Sequence, residues 1–379
     1  MGGSAFRAVL PLSAFPRMPP ATYYALKARL TPRIQTLYSV VSTPYEAPEK
    51  QDHGDLDLLV CEPRSGLEVP HEAVRAVLNA THVVPMPGNR TSSYAVPIDR
   101  GEWPDVQAQE EEMYHQVDVH VCTDRAEWER IYFFHGYGDL GMILGLIARN
   151  NGLALGSKGL KIPNHPRPPF GLTESMDEIM KYMQLSMQRW TTGFQTKQQI
   201  FEWVGETPLF NPARFQTEGQ GIKKVKPERK MYAEFVQWAK EQKQRPGHSE
   251  SPERSVLGKD QQIQHALKYF GKKEEFDSLA REDANKARLK EGFNGLKVQA
   301  WTGMSGEQWK DLKATMDLVR SWVGGEPGIL KILNEQGEAG IRELVLRAKE
   351  EVENSAHETA ERVVADLTEG FQAVAITET

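Results

Sequence analysis

Cysteine is nearly absent from this sequence, with Cys61 and Cys122 the only two in 379 residues. Two thiols support neither a disulfide framework nor a four-ligand zinc site, and they give a reducing, intracellular compartment, nuclear or mitochondrial, as the expectation. Positive charge is not in excess either. Lys and Arg number 46 against 52 Asp and Glu, a net charge of −6. No global basic field therefore draws polyanions, and a nucleic acid would have to be held by local patches. No apolar run reaches the roughly 18 residues of a membrane span, so no membrane partner is expected. Acidic residues are missing before Glu46, while Arg7 and Arg17 stand near the start, a composition shared with transit-like leaders. No internal repeat is visible.

What the chain does contain is a pair of acidic strands. His53-Gly54-Asp55-Leu56-Asp57-Leu58-Leu59-Val60 is answered later by Val117-Asp118-Val119-His120-Val121. Side chains alternate along a strand, so Asp55 and Asp57 share one face while Leu56 and Leu58 face a core. Asp118, between two valines, repeats that layout. Three carboxylates on one sheet repel one another unless a cation lies between them, and oxygen ligands of this kind suit Mg²⁺ or Mn²⁺. Two such ions can activate an attacking hydroxyl and stabilise a leaving pyrophosphate. His53 and His120 flank the acids but are read as ordinary polar neighbours, because hard cations prefer oxygen.

The length allows two or three domains. A helix is expected over 20–38, with Tyr24, Leu26, Leu30 and Ile34 at near-helical spacing and Pro32 as a bend. A strand at Tyr38–Ser42 and a turn-rich loop at 43–52 lead to the Asp55 strand. A helix at 70–80, a hairpin formed by 81–84 and 92–96, and the Asp118 strand closing the sheet follow. Helices at 124–135 and 139–150 come next, the second capped by Asp139 and ended by Asn151-Gly152. Beyond a Pro-rich connection at 163–172, helices are expected at 174–190 and 196–204. Charges dominate 217–290, and 244–257 reads as a flexible linker. Amphipathic helices are expected at 259–270, 274–290, 305–323 and 338–368. Trp301-Thr302-Gly303-Met304-Ser305-Gly306 reads as a turn before a helix.

With these residues in view, the chain resembles the DNA polymerase beta-like nucleotidyltransferases, specifically the palm and thumb of family X DNA polymerases, over about residues 20–216. Asp55-Leu56-Asp57 resembles the family's paired metal ligands, and Asp118 its third. Tyr132-Phe133-Phe134-His135-Gly136 is similar to the family's Tyr-Phe-Thr-Gly helix end. Leu146–Leu155 with Lys158-Gly159-Leu160 is similar to the thumb's helix, turn and strand, and Thr196–Gly205 with Asn211-Pro212-Ala213-Arg214 to its ending. The resemblance departs in three places. No Gly-Ser or Arg-Arg-Gly follows the first strand, where the chain reads Val40-Val41-Ser42-Thr43-Pro44-Tyr45. Gly141 stands where a base-contacting asparagine is frequent. The lyase domain and the helix-hairpin-helix fingers are not recognisable.

The resemblance implies an α/β nucleotidyltransferase palm with a mixed sheet (20–150) after an extension at 1–19. It further implies a small α/β thumb (151–216), followed by a charged linker region (217–258) and a helical carboxy-terminal region (259–379). It implies two-ion transfer of a nucleoside monophosphate from a nucleoside triphosphate to a 3′ hydroxyl of DNA or RNA, as in repair. Asp55, Asp57 and Asp118 would be catalytic and hold two Mg²⁺ or Mn²⁺ ions. Ser42, Gly54, Phe133, Phe134, Gly136 and Asp139 would contact nucleotide, with Lys50 a further source of charge. Lys223, Lys224 and Lys226 form a basic run that would touch nucleic acid. Two alternatives stay open: a template-independent transferase acting on RNA or a small molecule, and a domain without catalysis that serves as a scaffold.

Overall fold

The computed structural model describes residues 4–86, 88, 90–98, 112–163, 169–215, 229–244 and 257–376, with side chains described up to 361 and at 364. Lys223, Lys224 and Lys226 lie outside these residues, as does most of the expected linker. The chain divides into two compact units, Met1–Lys272 and Lys273–Thr379.

The first unit is built on a mixed five-stranded sheet. Its strands are β1 (Tyr38–Ser42), β2 (Asp55–Pro63), β3 (His82–Met86), β4 (Thr91–Pro97) and β5 (Tyr114–Val121), in the order β1-β2-β5-β4-β3. Only the β2–β5 pair is parallel. The Asp118 strand therefore does not close the sheet, as expected from sequence, but occupies its centre. The β3–β4 hairpin takes the far edge, and β5 fills the slot between β2 and β4, where Val117 and Val119 become fully buried.

Helices α1 (Pro20–Ile34) and α2 (His71–Leu78) cover one face of this sheet. Tyr23, Leu26, Leu30 and Ile34 of α1 pack with Val74 and Leu78 of α2 on Leu56, Leu58, Val60, Tyr94, Val96, Val117 and Val119. Tyr23, rather than the expected Tyr24, is the buried aromatic of α1; Tyr24 is 55% exposed. The helix also ends four residues earlier than its spacing suggested. Pro32 removes an N–H from the last turn, and the helix closes two residues later.

Also on this covered face of β5 is His115, 1% exposed. Burial, with help from the Arg29 charge, pushes its pKa down to about 4. The unfolded chain takes up the proton first as pH falls, so this stability is present above about pH 6.5 and is lost as pH drops towards 4. The loss is on the order of 3 kcal/mol. Urea titrations across this range should show a correspondingly smaller pH-dependence for His115→Gln than for the wild type; equal slopes would remove this assignment.

Among the described residues, two apolar clusters cover the opposite face at its ends. Cys61 and Leu59 of β2 and Cys122 just after β5 pack under Trp128 and Ile131 of α3 (Arg125–His135). At the other end, Phe6, Ala14 and Phe15 of the amino-terminal segment cover Ala95 and Tyr114. Between these caps the strands turn from apolar to polar. That polar middle holds the acidic residues.

After α3 come α4 (Leu140–Asn150) and a small antiparallel sheet of β6 (Ala154–Gly156), β7 (Gly159–Ile162) and β8 (Phe170–Thr173). The helix expected over 174–190 is two helices, α5 (Met176–Tyr182) and α6 (Met187–Thr192). Gln184 at φ 56° breaks the run, and the Ser186 hydroxyl restarts it by accepting the Arg189 N–H at 3.2 Å. Helix α7 (Lys197–Gly205) is capped by Thr196, whose hydroxyl accepts the Gln199 N–H at 3.2 Å. Two further helices complete the unit, α8 (Lys230–Gln244) and α9 (Lys259–Tyr269). Helix α8 arises inside the stretch read as charged linker. Its charges flank a buried stripe of Met231, Phe235, Val236, Trp238 and Ala239, which composition alone conceals.

The second unit is helical: α10 (Lys273–Gly292), α11 (Gly295–Thr302), α12 (Trp309–Val323), α13 (Glu326–Glu335) and α14 (Gly337–Ile376). Its core joins Phe293, Val298, Val319, Ile329, Leu333, Ile341, Val345 and Ala348. Helices α11 and α13 were not anticipated. Each is short, one capped by the Asn294 side chain and the other begun by Pro327, and each contributes only two buried residues. Trp301 and Thr302 of the expected turn at 301–306 end α11, and the turn begins two residues later, at Gly303 with φ 70°.

Candidate active site

Asp55 opens β2, and the parallel register sets Asp55 beside Gln116 and Asp57 beside Asp118. On the other side of β5, Asp118 faces Ser93 of β4. On the other side of β2, Ser42 faces Leu59, and their neighbours Val40 and Cys61 pack under α3. Register partners share a face. Ser42, Asp55, Asp57, Ser93, Gln116 and Asp118 consequently share one face of the sheet, spread over four strands, with Asp57 exposed, Ser42, Asp55 and Asp118 half-buried, and Ser93 and Gln116 buried. The structure thus brings together the three expected carboxylates and adds Ser42 beside them.

Electrostatically the acids oppose one another. Asp57 is solvent-accessible yet closely surrounded by protein, the situation of a side chain on the floor of a cleft. Crowding by protein, then the charges of Asp55, Asp118 and Glu46, push its pKa well above the ordinary carboxylate range, with Lys50 the opposing cation. Asp118 is raised to about 6 by burial first, against the lowering influence of Ser93 and Gln116 and with a further push from Asp55. Gln116 Nε2 donates to Asp118 Oδ1 at 2.9 Å and to Oδ2 at 3.0 Å.

One wall of the cleft comes from α1 and the loop before β2. Glu46 accepts from the Tyr23 hydroxyl at 2.5 Å and from Lys50 Nζ at 2.6 Å. His53 Nδ1 lies 3.3 Å from the same carboxylate, and its ring stacks on Tyr23 with centroids 3.8 Å apart. Burial works against the Glu46 charge, but Lys50, Tyr23 and His53 outweigh it and hold this carboxyl below its usual range. Backbone bonds between Met18 and His53, at 2.7 and 2.8 Å, tie the approach to Gly54 and Asp55 to the amino-terminal segment. Lys27, one turn after Tyr23 on α1, is half-buried, and desolvation lowers its pKa. His53 is thus packed between Tyr23 and the Glu46 carboxylate.

The α3–α4 turn forms the other side. Asp124 caps α3 by accepting the Glu127 N–H at 2.7 Å. Phe133 is buried against Trp190, with ring centroids 4.8 Å apart, whereas Phe134 is half-buried. Gly136 is close-packed: a Cβ there would stand 3.2 Å from the Trp190 ring. Tyr137, at φ 59°, stacks on Tyr45 at 4.9 Å and donates its N–H to the Tyr45 carbonyl at 2.6 Å, joining this turn to the loop after β1. Asp139 does not cap α4. Its carboxylate instead accepts from Arg229 Nη1 at 2.7 Å and from the Tyr232 N–H at 3.2 Å, at the first turn of α8. A tertiary cation and a second helix start compete successfully for the local cap.

Sequence reasoning missed Gln116, Ser93, Glu46 and Tyr23. Gln116 carried a signal, since it shares the face of Asp118 two residues away; the other three depend on strand order and on how the 43–52 loop returns.

The donor chemistry fits hard divalent cations. Asp55, Asp57 and Asp118 are clustered closely enough to feel each other's charge, and no cation but Lys50 offsets Asp57 among its strongest influences. Among the described residues, no three histidine, cysteine, aspartate or glutamate side chains have the mutual geometry of an assembled metal site. The chain matches no protein-family model and no curated protein.

Proposed function

We propose that the chain is a metal-dependent nucleotidyltransferase with a family X-like palm and thumb, moving a nucleoside monophosphate from a nucleoside triphosphate to a 3′ hydroxyl. The observation that carries this reading is the register pairing of Asp57 with Asp118, with Asp55 on the same open face. Mutual repulsion among these side chains favours a partner of opposite charge, and their oxygens suit Mg²⁺ or Mn²⁺. When bound, two such ions supply charge stabilisation at the attacking and leaving oxygens.

The chain's own residues divide the remaining work. Asp55 and Asp57 would hold both ions, and Asp118 would help hold one of them and draw the proton from the attacking hydroxyl. The hydroxyl oxygen bonds to the α-phosphorus as the bond to the bridging oxygen of the β-phosphate breaks, and pyrophosphate leaves. Ser42, at the end of β1, faces the same surface and supplies a hydroxyl near the triphosphate. Lys50 stands where a phosphate cation is needed, drawn towards the cleft by Glu46. The aromatic cluster of Tyr45, Phe133, Tyr137 and Trp190 stiffens the wall behind.

Two tests follow from this assignment. Purified chain incubated with labelled nucleoside triphosphates, Mn²⁺ or Mg²⁺, and a primer with or without template should extend the primer. Extension without template would favour terminal transfer, and none with either substrate would count against the reading. Separately, Lys50→Ala should raise the Kd for nucleotide about tenfold, the order of one charge-assisted contact, with Lys50→Arg restoring most of it. An unchanged Kd would take Lys50 out of the phosphate site.

A further inference from the structure

We infer that Gln116 is the positioning residue of Asp118: its amide holds both carboxylate oxygens from one side and leaves a lone pair aimed into the cleft. This rests on the functional reading above for its consequence, though not for its geometry. Gln116 precedes Asp118 by two residues on the same strand face, and only 3% of it is exposed. One nitrogen reaches both oxygens, at 2.9 and 3.0 Å. The two carboxylate oxygens carry four lone pairs between them; Gln116 takes one on each and Ser93 a further one, which leaves one for an ion or for a hydroxyl proton.

The choice of an amide matters. A lysine or arginine in this place would orient Asp118 equally well but would cancel the charge that an ion requires. A carboxylate would repel it. A neutral donor fixes direction and preserves charge. Gln116 is also the register partner of Asp55, so a neutral side chain stands beside that acid as well. The β4 register partner of Gln116 is Ala95, which packs in the cluster of Tyr114 and the amino-terminal segment, and the burial of Gln116 limits its rotamers, which makes it a rigid support.

The test compares wild type with Gln116→Met, which keeps the length and removes the donor, and with Gln116→Glu, which replaces donor by acceptor. Steady-state transfer is measured together with Mn²⁺ titration followed by electron paramagnetic resonance, and Asp118→Asn marks the Asp118-dependent site. Both Gln116 variants are expected to lose about 30-fold in kcat with KM for nucleotide within threefold, the reverse of the Lys50→Ala split. Mn²⁺ affinity at the Asp118-dependent site should fall at least fivefold in Gln116→Met. Two variants keep the test alive if one does not fold. Unchanged kcat and unchanged Mn²⁺ affinity in a folded variant overturn the inference. Were the wild type to bind Mn²⁺ but transfer nothing, the functional reading would fail while the Mn²⁺ comparison still decides the role of Gln116. Absence of Mn²⁺ binding by the wild type overturns both.

Discussion

Asp57→Asn is expected to abolish nucleotidyl transfer while leaving the first unit at least as stable as before. The loss should be about 10³-fold or more in kcat, because a bound ion supplies several kcal/mol of charge stabilisation and Asp57 stands at the centre of the acid cluster. The stability effect has the opposite sign. Asp57 carries the repulsion of Asp55, Asp118 and Glu46 on a residue that solvent still reaches. Asparagine removes that repulsion without changing shape, for a gain that solvent screening limits to roughly 0.5 kcal/mol. Divalent ions should reveal the difference most clearly. In the wild type, ion at about 100 times its Kd should add about 2.7 kcal/mol to stability, and in Asp57→Asn that increment should vanish. Thermal melts with and without Mn²⁺ check both statements. A variant that unfolds without transferring would point to a packing role, and one that still transfers would remove Asp57 from the mechanism.

Gly141→Ala is expected to be the most disruptive single methyl in the first unit. A Cβ at this position would lie 2.0 Å from the Phe134 carbonyl oxygen and 3.2 Å from the Phe134 ring. The obstacle is backbone, at the end of α3, so it cannot rotate away as a side chain would. The start of α4 must therefore move off α3, carrying the Gly136–Asp139 turn with it. Overpacking of this kind costs about 3 kcal/mol, and the strain falls beside the Tyr45–Tyr137 stack that joins the turn to the cleft loop. Urea midpoints should drop accordingly, and transfer should fall with them. Gly156→Ala is the control, since a Cβ there meets nothing within 4 Å; its effect should stay within about 0.5 kcal/mol. Equal effects of the two substitutions would contradict the close approach of α3 and α4. The same clash explains why position 141 carries no side chain at all, whatever the chemistry of the neighbouring cleft.

The legible and illegible parts of this molecule separate along the range of the interactions involved. The alternation of Asp55 and Asp57 with Leu56 and Leu58 is a period-two signal read within one strand, and the buried leucines follow it. β1 spans Tyr38–Ser42, the residues its local pattern marked. The place of β5 was not local. Nothing between Tyr114 and Val121 tells whether the strand lies at an edge or in the centre; that depends on where the β3–β4 hairpin docks. Tyr23 against Tyr24 is a choice of about 100° around α1, and both fit near-helical spacing until the sheet selects one. Asp139 carried a good local signal for a helix cap and is used by another helix, because Arg229 adds a cation that the α4 start lacks. Helix α8 was hidden by its own charges, whose solvated face dominated the composition. Within the cleft, the three aspartates were visible as a pattern. Of their supports, Gln116 shared the strand face of Asp118 but its role depends on its rotamer, and Glu46 was hidden because it depends on the return of a loop.

The account stands most directly on divalent-ion binding by the acid face. Mn²⁺ titrated into the full chain with a non-hydrolysable nucleoside triphosphate, and followed by electron paramagnetic resonance, should show two bound ions per chain. Asp57→Asn should lose both and Asp118→Asn one. A wild-type chain that binds no ion, or ions that persist undiminished in Asp57→Asn, would contradict it.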